Sequence, residues 1–109
     1  MMPIESEFIE IITTTPNEEV GLKIADALVE HRLAACVQVG GSVVSVYRWK
    51  EKVEHDQEHQ CMIKTRRDMF DQVVDVIREV HPYETPQIIA TPIVGISDDY
   101  TKWMRENLK

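Results

Sequence analysis

The sequence predicts an α+β domain in which strands and helices follow one another in the order β-α-β-β-α-β, with one more helix at the C-terminus. Runs rich in β-branched residues alternate with segments whose apolar residues recur every three or four positions. Glycine, proline and capping residues separate these segments. The 109 residues suffice for one compact unit, so residues 1–109 are expected to form a single domain.

The first strand is predicted at residues 7–14, where isoleucine and threonine dominate. The sequence Thr-Pro-Asn-Glu then indicates a helix start. Thr15 would cap the helix, Pro16 suits its first turn, and Glu18 would complete a capping box. Helical spacing of apolar residues continues to about Arg32, where this helix is expected to end.

Residues 34–49 are rich in valine and predict a long second strand. Gly40 and Gly41 within it indicate a bulge rather than a strand end. At this length, part of the strand is expected to project beyond its own sheet. The charged residues 50–58 are predicted to connect it, as a hairpin, to a third strand at 59–66.

The second helix is predicted from Asp68 and must stop before Pro82, because the residue preceding a proline is disfavoured in the α region. A fourth strand is predicted at 87–94, and Pro92 favours an edge position for it. Ser97 is expected to cap the C-terminal helix.

This order of elements is the ferredoxin-like βαββαβ pattern, an antiparallel sheet with helices on one face. A projecting strand exposes unpaired backbone groups, which soluble proteins cover. Pairing with further copies of the chain would cover them, so the pattern favours a homo-oligomer.

The amino-acid composition disfavours some classes of function. Apolar residues make up 43% and charged residues 28% of a chain with formal charge −7, which is typical of a soluble globular protein and unfavourable for nucleic-acid binding. No apolar run reaches the ~18 residues of a membrane span. Residues 1–8 do not resemble a signal peptide. Cys36 and Cys61 lie in apolar runs, so free thiols and a cytoplasmic location are expected.

Few side chains indicate a catalytic, phosphate-binding or metal-binding role. No nucleophile motif or phosphate-binding glycine loop is present. His55 and His59 would lie ~13 Å apart along a strand, too far to share one metal ion. The segment HPYETPQ, residues 81–87, is predicted to be extended, with His81 and Tyr83 pointing one way and Glu84 the other. Two interpretations of His81 stay open: it complements the end of the second helix, or it forms a metal or ligand site at a subunit boundary.

Five ordered motifs resemble the CutA family of divalent-cation tolerance proteins: LAACV (33–37), YRW (47–49), IKT (63–65), HPYETP (81–86) and Tyr100 with Trp103. The resemblance covers roughly residues 8–108. It implies a ferredoxin-like subunit similar to the PII signalling proteins, a homotrimer, a cytoplasmic location, a weakly bound divalent cation such as copper, and no enzymatic activity.

Some positions depart from the family pattern. Thr13, Val80 and Gln87 stand where the family's best-described copper site has cysteine, histidine and glutamate. The resemblance therefore implies weak metal binding, with His81 and then Glu84 as the remaining ligands. Glu51 replaces a usual glycine in the hairpin, so a wider turn is expected.

An alternative is a PII-like sensing module for a small molecule or nucleotide. Aromatic rings and one cation at a subunit boundary would hold an anion there. In addition to His81, the residues predicted to line this pocket are Tyr47, Trp49, Lys64, Tyr83 and Trp103. A hydrolase using His81 as base is disfavoured, because no nucleophile lies beside it.

Overall fold

The computed structural model describes residues 6–109, so residues 1–5 of the segment considered for a signal peptide lie outside the described part. An antiparallel sheet of four strands has the order β2-β3-β1-β4 and carries three helices, which confirms the α+β class. No helix within residues 6–109 has both the length and the apolar character needed to cross a membrane. The elements are β1 (Phe8–Thr15), α1 (Glu18–Glu30), β2 (Cys36–Trp49), β3 (Lys52–Arg66), α2 (Phe70–Val80), β4 (Ile89–Pro92) and α3 (Asp98–Asn107).

The main core lies between one face of the sheet and helices α1 and α2. Buried isoleucines on β1 and β3 meet Leu28 of α1 and Ile77 of α2 there. The helical spacing of apolar residues places one stripe of each helix against the sheet, as predicted. The core residues of this cluster are Ile9, Ile11, Ile24, Leu28, Leu33, Ala34, Ile63, Met69, Val73 and Ile77.

Helix α3 packs on the opposite face, so the prediction of helices on one face holds only for α1 and α2. Phe8 and Ile9 are neighbours on β1 and therefore point to opposite faces. Ile9 belongs to the main core, whereas Phe8 packs with Met104 of α3 and with Leu108. Arg105 Nε and Nη2 donate to the two carboxylate oxygens of Glu7 at 3.0 and 2.5 Å, which fixes α3 beside the start of β1.

Helix α1 begins two residues later than predicted. Its N-cap is Asn17, whose side-chain oxygen accepts a hydrogen bond from Val20 N–H at 2.9 Å. Thr15 is still part of β1, where it pairs with His59, and its hydroxyl donates to the Asn17 carbonyl. The predicted cap at Thr15 is therefore wrong, because sheet pairing retains that residue. Ser97 caps α3 as predicted, accepting from Tyr100 N–H.

Strands β2 and β3 form a hairpin longer than predicted. β3 begins at Lys52, so most of the segment 50–58 is strand rather than connection. Only Lys50 and Glu51 lie in the turn, both with positive φ (49° and 69°), and the expected wider turn is wrong. The charged residues alternate along the strand and tolerate sheet pairing because one side of the hairpin faces solvent.

The end of this hairpin projects beyond the sheet, as predicted. Within β3, β1 pairs only with residues 59–66, so among the described strands none lies beside residues 42–49 and 52–58 as a third strand. A shift of register between Gly40 and Ser42 confirms the predicted bulge. β4 is shorter than predicted and lies at the sheet edge, with Pro92 beside Ile9, which confirms the inference from that proline.

Candidate functional site

A cleft of about 760 Å³ lies between the projecting hairpin and the segment that follows α2. Its volume is in the range of small-molecule sites. Part of the hairpin forms one wall, and the loop between α2 and β4 forms the other. The residues that line the cleft are Thr14, Ser45, Val46, Tyr47, Trp49, Glu58, Pro82, Tyr83, Glu84, Thr85, Pro86 and Gln87.

His81 anchors the loop wall of the cleft. Its side chain is buried, and its Nε2 lies 2.7 Å from the carbonyl oxygen of Thr14 on β1. Its Nδ1 accepts a hydrogen bond from Tyr83 N–H at 3.2 Å, which places the ring proton on Nε2 as the donor to Thr14. The Tyr83 ring also packs against the imidazole, with centroids 4.7 Å apart. Both ring nitrogens are therefore engaged within the chain.

The loop after α2 is not extended along its whole length, in contrast to the prediction. It bends at Glu84 and Thr85, and both Tyr83 and Glu84 line the cleft. The bend interrupts the extended backbone on which the predicted alternation of side chains depends, and the opposite directions of Tyr83 and Glu84 stay a prediction. Glu84 is exposed at the cleft, while His81 lies buried beneath it.

Metal-binding chemistry is sparse in the part of the chain that the structure describes. Residues 6–109 contain no group of three or more histidine, cysteine, aspartate or glutamate side chains able to hold one metal ion. A metal on His81 would have to replace one of its two hydrogen bonds. The site predicted at His81 and Glu84 stays a prediction.

Three of the five other residues predicted for the ligand pocket lie together in the cleft: Tyr47, Trp49 and Tyr83. Lys64 and Trp103 do not line it. The Lys64 ammonium instead donates to Gln38 Oε1 at 2.6 Å on the neighbouring strand. Trp103 packs against Tyr100, with ring centroids 5.3 Å apart. The cleft therefore has three of the four predicted aromatic residues but not the predicted cation.

Two carboxylates were missed by the sequence analysis: one lines the cleft, and the other accepts a hydrogen bond from a residue that lines it. Glu58 lines the cleft and is buried, with 5% exposure, and its charge raises the pKa of Tyr83. The Tyr47 phenol donates to Asp56. These residues belong to the segment 50–58, which was predicted to be a hairpin connection. The signal that identifies them is the two-residue spacing of Glu54, Asp56 and Glu58, which puts three acids on one face of a strand.

The phenol–carboxylate pairs change the acidity of both tyrosines. The hydrogen bond to Asp56 raises the pKa of Tyr47 to about 12, with smaller contributions from desolvation and from nearby negative charge. Burial, followed by the charge of Glu58, raises the pKa of Tyr83. Both phenols therefore keep their protons and act as donors at neutral pH.

The remaining buried polar groups give no catalytic arrangement. Cys61 is fully buried, and desolvation raises the pKa of its thiol, so it is not an activated nucleophile. Thr13, also fully buried, has a hydroxyl without a hydrogen-bond partner within residues 6–109. Cys36 and Cys61 are both free cysteines.

Comparison with known proteins gives a consistent family assignment. Residues 9–107 match the family of the CutA1 divalent ion tolerance protein. A divalent-cation tolerance protein CutA from Thermus thermophilus is 42% identical over 97 residues, which are 89% of this chain and 94% of the relative. The Protein CutA of Homo sapiens is 44% identical over 93 residues, 85% of this chain. A chloroplastic Protein CutA of Arabidopsis thaliana is 38% identical over 101 residues, 93% of this chain.

The chain spans only 52% of the human relative and 56% of the plant relative. Solved structures agree with the sequence comparisons. The Thermus thermophilus divalent cation tolerance protein has a TM-score of 0.89 at 40% identity, with 94% of this chain and 99% of that chain covered. The CutA1 of Shewanella sp. SIB1 has a TM-score of 0.91 at 37% identity, with 96% and 98% covered.

Proposed function

Because the chain belongs to the CutA1 divalent ion tolerance family, we propose that it acts in divalent-cation tolerance as a non-enzymatic protein that binds cations such as copper. The observation that carries this proposal is the family match over residues 9–107, nearly the whole chain. The proposal treats residues 1–109 as one CutA-like domain. It includes a cytoplasmic location, which the two free cysteines support because reduced thiols are typical of a reducing compartment.

The proposal also includes assembly as a homotrimer. Its support is the projecting hairpin, whose outer strand β2 has no second neighbour among the described strands. Val44, Val46 and Val53 are more than half exposed on this hairpin. An exposed apolar strand with unpaired backbone groups is unfavourable in water, and pairing with another subunit covers both.

Assembly can be tested by light scattering coupled to size exclusion. We expect a mass three times the 12.6 kDa of the chain. Val44→Glu should shift the protein toward the monomer, because Val44 is 66% exposed on the projecting hairpin. Leu22→Glu is the matched control, since Leu22 is an exposed apolar residue of α1. A wild-type mass near that of one chain at micromolar concentration would contradict the trimer.

For the metal, we propose a weak site that uses His81 and, to a smaller extent, Glu84. The support is that both belong to the loop that follows α2: His81 is the buried residue at its start, and Glu84 is exposed and lines the cleft. Binding to the imidazole would release the Tyr83 N–H from Nδ1, the longer of the two hydrogen bonds of the ring. The lost hydrogen bond keeps the affinity low.

Calorimetric titration with CuCl₂ tests this site. His81→Ala should weaken binding at least about tenfold while the trimer persists, since imidazole is the stronger copper ligand of the two. Glu84→Gln should have a smaller effect in the same direction. His31→Ala, which removes an exposed histidine at the end of α1, is the control and should leave binding unchanged. Equal copper affinity in wild type and His81→Ala would refute the role of His81.

A further inference from the structure

We propose that the cleft binds a small organic ammonium cation, held by the Glu58 carboxylate and by the rings of Tyr47, Trp49 and Tyr83. This ligand class goes beyond the divalent-cation function proposed above. It is also opposite in charge to the anion or nucleotide considered from the sequence. Three properties of the cleft support it: a buried carboxylate without a cationic partner, an aromatic lining, and a volume suited to a molecule rather than an ion.

Glu58 supplies the negative charge. Only 5% of the residue is exposed, and none of the ion pairs formed within residues 6–109 includes it. Its neighbour at the cleft is the neutral phenol of Tyr83, whose pKa its charge raises. A buried carboxylate is costly unless a positive charge compensates it, and one phenol supplies only a dipole. A cation in the cleft beside Glu58 would supply that compensation.

Aromatic side chains supply the second part of the site. Tyr47, Trp49 and Tyr83 line the cleft, yet each keeps between 36% and 41% of its surface exposed. Tyrosine and tryptophan attract cations through the negative faces of their rings, and recognition of alkylammonium groups relies on such rings. The same rings cover the apolar part of an organic ligand, which a hydrated metal ion does not have.

The lining of the cleft distinguishes between classes of ligand. Among the described residues that line it there is no lysine or arginine, although the Lys50 ammonium lies 5.9 Å from the centroid of the Trp49 ring. Lys64, the cation predicted for an anion site, is held by Gln38 and Glu10 on neighbouring strands. An anion beside Glu58 and Glu84 would therefore have no balancing charge among the described residues that line the cleft. A bare metal ion needs several converging donor atoms, and no group of three metal-ligating side chains is found within residues 6–109. A volume of about 760 Å³ suits a small organic molecule.

The hydrogen bonds around the cleft hold these groups in place. The Tyr47 phenol donates to Asp56, so this ring is fixed through its hydroxyl end. His81 fixes the backbone of Tyr83 through Nδ1. Because the aromatic side chains are restrained before a ligand arrives, binding orders few additional groups.

The test uses the full chain, labelled with ¹⁵N, and tetramethylammonium chloride as the probe. The chain has two tryptophans, Trp49 at the cleft and Trp103 on α3, so their indole N–H signals give a site reporter and an internal control. We expect saturable shifts of the Trp49 signal and none of Trp103. tert-Butanol, a neutral molecule of similar shape, should bind at least about tenfold more weakly because it lacks the charge. Sodium chloride should not reproduce the shift.

Variants test whether the Glu58 carboxylate supplies the negative charge that binds tetramethylammonium. Glu58→Gln keeps the shape of the side chain and should raise the dissociation constant for tetramethylammonium at least about fivefold. Trp49→Leu, followed by calorimetry, should also weaken binding and provides a second variant if Glu58→Gln does not fold. Glu79→Gln, which removes an exposed charge on α2, is the matched control and should bind as wild type.

Several outcomes would overturn the proposal. These are equal binding of tert-butanol and tetramethylammonium, or unchanged binding in both Glu58→Gln and Trp49→Leu. A Trp49 signal that responds only in dissociated Val44→Glu would show that another subunit fills the cleft, and this too would reject a small-molecule site. Copper titration is a separate measurement, so failure of the metal proposal leaves these results interpretable.

Discussion

The imidazole of His81 connects the end of α2 to β1: its Nε2 lies 2.7 Å from the carbonyl oxygen of Thr14, 67 residues earlier in the chain. Because Nδ1 of the same ring accepts from Tyr83 N–H, one buried side chain fixes both the helix end and the start of the loop. The position of the loop wall of the cleft therefore depends on this ring. A residue considered as a metal ligand thus has a structural role that can be tested without metal.

His81→Ala should destabilise the protein in the absence of metal. The substitution leaves the Thr14 carbonyl and the Tyr83 N–H without their partner and removes a buried ring, so we expect a loss of about 2 kcal/mol in the free energy of unfolding. Urea denaturation at fixed protein concentration measures it. Arg78→Ala, at an exposed position of α2, is the control and should change the free energy by less than about 0.5 kcal/mol. Equal midpoints for His81→Ala and Arg78→Ala would contradict this role.

Tyr47 should titrate at unusually high pH. Its phenol donates to Asp56, which raises the pKa of Tyr47 from 10.0 to about 12. Alkaline titration followed by phenolate absorbance should show this group, and Tyr47→Phe should remove it. Asp56→Asn should return the pKa of Tyr47 toward 10, because an amide does not stabilise the proton as a carboxylate does. Asp75→Asn on α2 is the control and should leave the titration unchanged.

The pair of Tyr47 and Asp56 also determines how the free energy of unfolding changes at alkaline pH. The pKa of Tyr47 is higher in the folded than in the unfolded protein, so the folded state holds this proton more tightly. Its contribution to stability is therefore fully present below pH 10 and is lost as the pH rises from 10 through 12. Chemical denaturation at a series of pH values should show a shallower loss over this window in Asp56→Asn than in wild type. Identical slopes would contradict the pairing.

Local rules predicted several parts of the fold. The edge position of β4 was predicted from Pro92, the cap of α3 from Ser97, and the bulge in β2 from Gly40 and Gly41. Each of these inferences rests on the chemistry of one or two residues. Thr15 failed as a cap because its pairing with His59, 44 positions away, retains it in the sheet. Competition between local and distant partners is not visible in a short stretch of sequence.

The candidate site was predicted only in part, for a similar reason. Tyr47, Trp49 and Tyr83 were predicted to line a ligand pocket because they are aromatic, and all three line the cleft. Lys64 was assigned to the same site, but the pairing of β3 places it opposite Glu10, away from the cleft. Glu58 was assigned to the hairpin connection, whereas in the structure it is buried at the cleft that the hairpin shares with the loop after α2. Strand register and loop placement decide these outcomes, and both depend on contacts between distant parts of the chain.

Substitutions in the turn between β2 and β3 should raise the free energy of unfolding. Lys50 and Glu51 both have positive φ, a conformation that costs an ordinary residue about 1–2 kcal/mol and that glycine adopts freely. Glu51→Gly should therefore raise the free energy of unfolding by about 0.5–1 kcal/mol, and Lys50→Asn should add a smaller gain. Thermal unfolding at fixed concentration measures both changes. Glu54→Gly, inside β3, is the contrasting control and should destabilise. A lower Tm for Glu51→Gly would contradict the strain at this turn.

Gly21 sets how closely α1 approaches the sheet. A Cβ atom at this position would lie 2.9 Å from Cγ1 of Val39 and 3.1 Å from Sγ of Cys61, closer than van der Waals contact allows. Gly21→Ala should therefore destabilise by about 1 kcal/mol, because overpacking costs more than the helix propensity that alanine gains. Urea denaturation measures this loss. Gly95→Ala is the matched control, since a Cβ there would meet no atom within 4 Å.

A double-mutant cycle attributes the loss to the contact with Val39. In the Val39→Ala background the closest atom is gone, so Gly21→Ala should become neutral or stabilise by up to about 1 kcal/mol through helix propensity alone. The coupling energy between the two positions should thus be favourable and on the order of 1 kcal/mol. If Gly21→Ala costs the same in both backgrounds, the approach of α1 to the sheet is not limited by Val39, and Cys61→Ala should then be the background that restores stability.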